Sequence, residues 1–368
     1  MRFRAAVLHS IGQPLSIERV ELRTLQPGDV LVRIRAAGIC HTDIELARGA
    51  LARPLPIVPG HEGAGTVEAV GSGVTRVKPG DRVVCSWNPS CGHCFYCAEG
   101  LPILCEPIAR HQPQGFLPDG VPRLYLDGKP LRQFMTVASH AEYSVVPEAG
   151  AVPVPEAIPF DRACLIGCGA ATGFGAVTRA APVTYGSNVV VVGCGAIGLS
   201  VIQSASLRGP ARVIAVDRDP KRLAQARLFG ATDLVEASSD ALASVRALTA
   251  GRGADFSFEA AGNEAAMRFA VEAARPGGHV LLLGKVQADQ DVAFRWASLT
   301  GEKQLKRSSY GGVRPDRDFT LLAQAYLDGS LKLDELISER LPLEAINDGY
   351  VSIEQGRSIR SVITFDGE

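Results

Sequence analysis

Four of the nine cysteines, Cys91, Cys94, Cys97 and Cys105, fall within fifteen residues, with the pattern Cys-x-x-Cys-x-x-Cys and seven residues before the fourth. Four thiolates so spaced suit a closed tetrahedral zinc, with Zn–S distances of about 2.3 Å. An iron–sulfur cluster takes the same donors. An odd cysteine count in a chain this long, clustered in this way, points to metal in a reducing compartment rather than to disulfides. Such a site braces a loop and takes no part in chemistry.

A second group of metal-binding residue types is dispersed. Cys40 lies in Gly38-Ile39-Cys40-His41-Thr42-Asp43, and His61 and Glu62 lie in Pro59-Gly60-His61-Glu62-Gly63. Cys168 lies in Leu165-Ile166-Gly167-Cys168-Gly169. From spacing alone each is equally a metal ligand or a satisfied core residue, because the ligands would have to be assembled from distant segments.

The third signal is Gly193-Cys194-Gly195-Ala196-Ile197-Gly198, which follows Val189-Val190-Val191-Val192 and opens a helix-compatible stretch. A second apolar run ends in Asp217, nineteen residues beyond Gly198. Glycines there allow a tight turn and close approach of a pyrophosphate to a helix N-terminus, and the later acid can accept hydrogen bonds from ribose hydroxyls. Gly193, Gly195, Ala196, Ile197, Gly198, Asp217 and Arg222 are therefore the cofactor candidates. A carboxylate at 217 repels a ribose phosphate and favours NAD over NADP, a preference that the adjacent Arg218 softens.

These sites need two kinds of scaffold, and the chain provides two textures. To about residue 169 it reads as short strands punctuated by Gly and Pro, such as Val30 to Ile34 after Gln26-Pro27-Gly28-Asp29 and Arg82 to Cys85 after Lys78-Pro79-Gly80-Asp81. From near Thr172 buried strands alternate with helical stretches, at Asn188 to Val192, Ala211 to Val216, Asp255 to Glu259 and Gly278 to Leu283. That alternation argues a doubly wound parallel sheet. A final helical stretch, Phe319 to Leu327, and a strand, Ser361 to Phe365, close the chain.

Thirty-eight basic side chains against thirty-nine acidic ones, a net charge of -1, give no reason to expect nucleic acid or an anionic membrane as the main partner. No apolar run is expected to approach the ~20 residues of a membrane span, and the start reads as a strand rather than a signal peptide. The expected location is the cytoplasm.

Together and in this order, the Gly-His-Glu segment, the four-cysteine loop, the Ile-Gly-Cys-Gly turn and the glycine fingerprint resemble the zinc-containing medium-chain alcohol dehydrogenases, over nearly the whole chain. The resemblance implies an α/β protein: a β-rich GroES-like catalytic domain from 1–169 and 311–368, and an inserted doubly wound Rossmann domain from 170–310. It implies one catalytic and one structural zinc per chain. Cys40, His61 and Cys168 would hold the catalytic zinc, as in the Cys₂His site of alcohol dehydrogenase that serves as a general example of this class. Glu62 would be the nearby acid that approaches the metal during ligand exchange, and Asp43 the carboxylate that orients the His61 ring.

The resemblance also makes Thr42 the hydroxyl that takes the alcohol proton, with a helix N-cap as its alternative role. His41 and Arg360 would contact the cofactor pyrophosphate. Many relatives carry a histidine three residues after the hydroxyl residue; here that position is Glu45, either a carboxylate end to the proton relay or a surface residue. Trp87, Leu51, Phe134 and Met135 would line an apolar, aromatic substrate pocket. Lys285 occupies a position that is often apolar in relatives. The implied activity is NAD-linked interconversion of a primary, hydrophobic or aryl alcohol and its aldehyde. The alternatives are oxidation of an S-hydroxymethyl thiol adduct and, from another class, a non-catalytic cofactor-binding homologue. A homodimer built through the nucleotide-binding sheets is expected.

Overall fold

The computed structural model describes residues 1–365. Contacts between Cα atoms divide the chain into two units, 1–168 with 314–329 and 333–365, and 169–313 with 330–332. The short return of residues 330–332 to the second unit leaves no mark in the sequence.

The first unit is built on two sheets. In one, Arg2–Val7, Ser16–Leu22, Leu124–Leu126, Lys129–Gln133 and Ile57–Val58 lie in that spatial order. The other runs Ala151–Pro153, Arg82–Cys85, Glu62–Val70, Asp29–Ile39, Arg360–Thr364 and Ile337–Leu341, and Tyr143–Pro147 also pairs with Asp29–Ile39. The long central strand Asp29–Ile39 is buried along most of its length, as its run of Val, Leu, Ile and Ala demands. Its register positions the chemistry. Gly38 pairs with Glu62 and Ile39 with Ser361, so one step further along the ladder Arg360 meets the Cys40 end of the strand.

Two apolar clusters fill this unit, one around Ile34, Ile39, Leu46 and Phe134, the other around Phe3, Val20, Leu124 and Val145. Burial of each such side chain stabilises the fold by about 1.5–3 kcal/mol. Between the sheets' connections Arg123, 3% exposed, reaches Asp29 at 2.6 Å through Nε and 3.0 Å through Nη2.

The second unit is a six-stranded parallel sheet ordered Asp233–Glu236, Arg212–Asp217, Asn188–Val192, Ala254–Glu259, Ala274–Leu282 and Gln304–Arg307. Numbered along the unit, that order is 3-2-1-4-5-6, the doubly wound arrangement in which ligands bind beyond the carboxyl ends of the strands. The strand Ala274–Leu282 begins earlier than the expected Gly278, and its ladder shifts register between Ala254 and Phe256. The helices Ala196–Ser206, Pro220–Leu228, Ala241–Leu248 and Glu264–Ala273 connect the strands, and Asp219 and Asn263 cap two of them through side-chain bonds to Lys221 N and Ala266 N.

Two sequence expectations need correction. A continuous helix, Phe160–Ala180, is 21 residues long with a mean hydropathy of 1.2, long and apolar enough to cross a membrane. Its four glycines, Gly167, Gly169, Gly173 and Gly175, each disfavour helix, so the sequence carries no clear helix signal here. Seventy-eight per cent of its most apolar window is buried inside the protein, as befits a core helix. The Ile-Gly-Cys-Gly segment is therefore no turn: it lies in this helix, where the backbone widens to a π-helical turn over Ile166–Ala170. Such widenings recur at functional sites.

Candidate metal centre and cofactor cradle

Cys40 ends the central strand and begins the helix His41–Ala47 as its N-cap residue. The Asp43 carboxylate folds back on this junction: Oδ2 accepts from Cys40 N at 2.9 Å, and Oδ1 from Gly60 N at 3.1 Å. The same Oδ1 lies 3.1 Å from His61 Nδ1. One fully buried carboxylate thus ties the segment carrying Cys40 to the segment carrying His61 and fixes the His61 ring with Nε2 available to a metal.

Cys40, His61, Glu62 and Cys168 are all buried, and their ligand atoms lie within 4.8 Å of one another. Glu62 reaches the cluster because residue 38 is glycine: a Cβ there would sit 2.2 Å from Glu62 Oε2. Glu62 Oε1 lies 3.3 Å from Arg360 Nη2, which is also 3.7 Å from Cys40 Sγ, whereas Glu62 Oε2 is buried without a partner. Burial pushes the Glu62 carboxyl up to about 7, against the pull of Arg360. The hydrogen bond from Cys168 holds the Cys40 thiol well below its usual range, and Arg360 and His61 reinforce that effect. For His61 burial works downward, but Asp43 and Cys40 outweigh it and hold the ring well above its ordinary value. Two cysteine sulfurs with one imidazole are the donor set of a zinc site that keeps an open position. These residues fit that metal.

The four-cysteine loop fits a closed site. Its four sulfurs also lie within 4.8 Å of one another. Backbone N–H groups point at sulfur, from Cys91 to Cys105 Sγ at 3.2 Å and from Cys94 to Cys91 Sγ at 3.4 Å. The Cys94 thiol is drawn down to about 6, chiefly by a backbone hydrogen bond from Glu106. Thiolates, not thiols, are what such donors favour.

In the second unit the fingerprint joins the strand Asn188–Val192 to the helix Ala196–Ser206. Its three glycines do different things. Gly193 has φ +93°, and a Cβ there would lie 2.8 Å from Ala261 N. A Cβ on Gly198 would lie 1.7 Å from Gly193 O, so this position packs helix against turn. Gly195 has nothing within 4 Å of where its Cβ would be, leaving open space at the helix N-terminus where a pyrophosphate can approach. Asp217 accepts from Cys194 N at 2.6 Å and from Asp219 N at 2.9 Å, which fixes the carboxylate at the end of its strand. Ala196 is buried, Ile197 and Arg222 are half-buried, and Arg222 approaches Asp219 at 3.9 Å.

The remaining candidates sit as follows. Thr42 and Glu45 are half-buried on the helix His41–Ala47, three residues apart and hence on one face; His41 is exposed. Arg360 is buried, 5% exposed, against Glu62 and Cys40. Phe134 is buried and meets the His61 ring edge-on at 5.9 Å. Leu51, Trp87 and Met135 are half-buried against the same apolar cluster. Lys285 is exposed.

Glu259 escaped the sequence reading. It ends the strand Ala254–Glu259 fully buried, and its Oε1 accepts from Ala261 N and Gly262 N at 2.8 and 2.6 Å. That carboxylate shapes the turn against which Gly193 packs. An acid closing the otherwise apolar run Phe256-Ser257-Phe258 was the available signal.

Residues 26–156 match the model of the alcohol dehydrogenase GroES-like domain, and 196–326 that of the zinc-binding dehydrogenase. The chain is 37% identical to the alcohol dehydrogenase class-3 of Myxine glutinosa, covering 98% of this chain and 97% of that one. It is 36% identical to an S-(hydroxymethyl)glutathione dehydrogenase of Escherichia coli, covering 99% and 100%. The crystal structure of benzyl alcohol dehydrogenase from Acinetobacter calcoaceticus superposes with a TM-score of 0.94 at 30% identity, over 100% of both chains.

Proposed function

Because the chain belongs to the zinc-containing medium-chain alcohol dehydrogenases, oxidoreductases that use zinc and NAD, we propose that it interconverts a primary, hydrophobic or aryl alcohol and its aldehyde. The observation that carries this reading is Phe134, whose ring meets His61 edge-on at 5.9 Å and belongs to an apolar cluster against which Leu51, Trp87 and Met135 also pack. The benzyl alcohol dehydrogenase likeness supports it.

Cys40, His61 and Cys168 would hold a zinc ion that supplies Lewis-acid activation of the alcohol, and a bound NAD would supply the hydride acceptor. The chain's own groups do the rest. Thr42 Oγ1 takes the hydroxyl proton, and Glu45, on the same helix face, is the next acceptor. Asp43 keeps His61 in one tautomer, and Arg360 holds Glu62 to one side of the donor set. Gly195 and Asp217 serve the dinucleotide.

A second reading is oxidation of an S-hydroxymethyl thiol adduct, favoured by the name of the Escherichia coli relative. NADH formation from a panel of aliphatic and aryl alcohols, with and without a low-molecular-weight thiol, separates the two. Turnover of aryl alcohols without thiol supports the leading reading; turnover of formaldehyde only with thiol replaces it. A homodimer joined at the exposed edge strand Gln304–Arg307, with Trp296 81% exposed nearby in sequence, completes the proposal. Sedimentation at the mass of a tetramer would contradict it.

A further inference from the structure

His140 is fully buried in the first unit and plays no part in the chemistry described above. It touches both segments that carry the Cys40 and His61 ligands. Its Nε2 lies 3.4 Å from Gly38 O, two residues before Cys40. Its backbone N–H donates to Pro59 O, and that of Ser139 to Gly60 O, each at 3.1 Å, in the turn just before His61. Gly60 has φ +92°, and a Cβ there would fall 2.6 Å from His140 Cδ2, so ring and turn are in direct contact.

The ring's polar ends have defined roles. A carbonyl only accepts, so Nε2 carries the proton and Nδ1 is an acceptor. Tyr350 OH, from the helix Ile346–Glu354, lies 3.3 Å from that Nδ1 and supplies the donor. The two rings meet at 5.9 Å and 71°. Burial lowers the pKa of His140, although the Asp43 charge works the other way, and the neutral ring is the form this pattern requires.

We propose that His140, oriented by Tyr350, is a positioning residue for the catalytic metal: it holds the Gly38 carbonyl and the Pro59–Gly60 turn in one placement and so sets the spacing of the Cys40 and His61 ligand atoms. Asp43 ties the same two segments through Cys40 N and Gly60 N. His140, with the neighbouring Ser139 N–H, ties them through Gly38 O, Pro59 O and Gly60 O. A phenylalanine would fill the same space but could bond neither Gly38 O nor Tyr350 OH, which separates the polar role from packing. The inference rests on the reading of Cys40, His61 and Cys168 as zinc ligands.

The test follows zinc release from the full-length holoenzyme into a chelator, with the four-cysteine site as an internal reference. H140F is expected to release one zinc about 10-fold faster than wild type, at the lower end of the 10–100-fold effect typical of groups that support a ligand. The other zinc leaves at the wild-type rate. H140Q, whose amide N–H can still reach Gly38 O, restores part of the loss, and the visible bands of the cobalt-substituted catalytic site shift in H140F. Y350F, which removes one hydroxyl, moves release in the same direction by a few-fold and carries the test should H140F fail to fold. Wild-type release rates and an unchanged cobalt spectrum in a folded H140F, or in Y350F if that variant carries the test, overturn the proposal. A C168S variant that still holds two zinc ions overturns the underlying ligand reading, and the proposal with it.

Discussion

Three single alanine substitutions in one six-residue turn should separate folding from cofactor binding. At Gly198 an added Cβ would lie 1.7 Å from Gly193 O, where an ordinary C···O contact is about 3.3 Å. Helix and turn must part by roughly 1.5 Å, the kind of overpacking that costs about 1–3 kcal/mol and lowers Tm by roughly 2–12 °C in a domain of this size. At Gly195 φ is -76° and ψ -174°, an ordinary conformation for alanine, and the added methyl meets no protein atom within 4 Å. Weak capping by alanine and the smaller entropy of its unfolded chain offset one another to within about 1 kcal/mol. Gly195→Ala should therefore melt within about 4 °C of wild type. The methyl instead occupies the space left for the pyrophosphate, so NAD affinity should fall at least ~10-fold, about 1.4 kcal/mol. Gly193→Ala should lose both, since it combines φ +93° with a backbone contact at 2.8 Å. The assays are thermal unfolding of the apoprotein and calorimetric titration with NAD. A Gly195→Ala protein that binds NAD like wild type, or that loses as much Tm as Gly198→Ala, would refute the reasoning.

Further outcomes follow from other sites. Gly38→Ala, which places a Cβ 2.2 Å from Glu62 Oε2, should cost most of the turnover while the four-cysteine zinc stays in place, as metal analysis of the purified variant would show. Glu45→Gln should change the pH–rate profile; an unchanged profile removes Glu45 from the relay. Asp161 is paired at 2.7 Å with both Arg162 and Arg340, which hold its carboxyl below the usual range although burial works against them. A lowered folded-state pKa gives stability that is present above the unfolded value near 4 and is lost as pH falls through the folded one. Asp161→Asn should thus cost about 1–2 kcal/mol at neutral pH, discounted for the half-exposed Arg340, and progressively less below pH ~4 in urea titrations.

What was legible in the sequence was local in the chain. The strands at Arg82–Cys85 and Asn188–Val192 and the helix start at Ala196 lie where turn signals and apolar runs put them. The four cysteines and the fingerprint each sit within one short segment, so spacing alone announces them. The resemblance implied a GroES-like and a Rossmann fold, and the matching family models bear out that fold class. What stayed hidden depends on contacts across the chain. His140 is one histidine with no motif around it, and its partners lie 102 and 210 positions away. The need for glycine at 38 appears only when the ladder register sets it against Glu62. The helix Phe160–Ala180 was lost because glycine normally disfavours helix by ~1 kcal/mol each, a cost outweighed here by burial. Its π-helical turn places Cys168 within reach of Cys40, a displacement that no periodicity records.

The central claim is that the buried Cys40–His61–Cys168 cluster, loaded with zinc, drives NAD-linked oxidation of an alcohol. Its most direct test is to remove the more labile zinc from the purified enzyme, return zinc in steps, and follow NADH formation from benzyl alcohol against metal bound. Turnover should rise in proportion to the second zinc per chain while the first remains in the four-cysteine loop. Turnover that is complete with one zinc per chain, or absent from a protein carrying two with every alcohol offered, would contradict it.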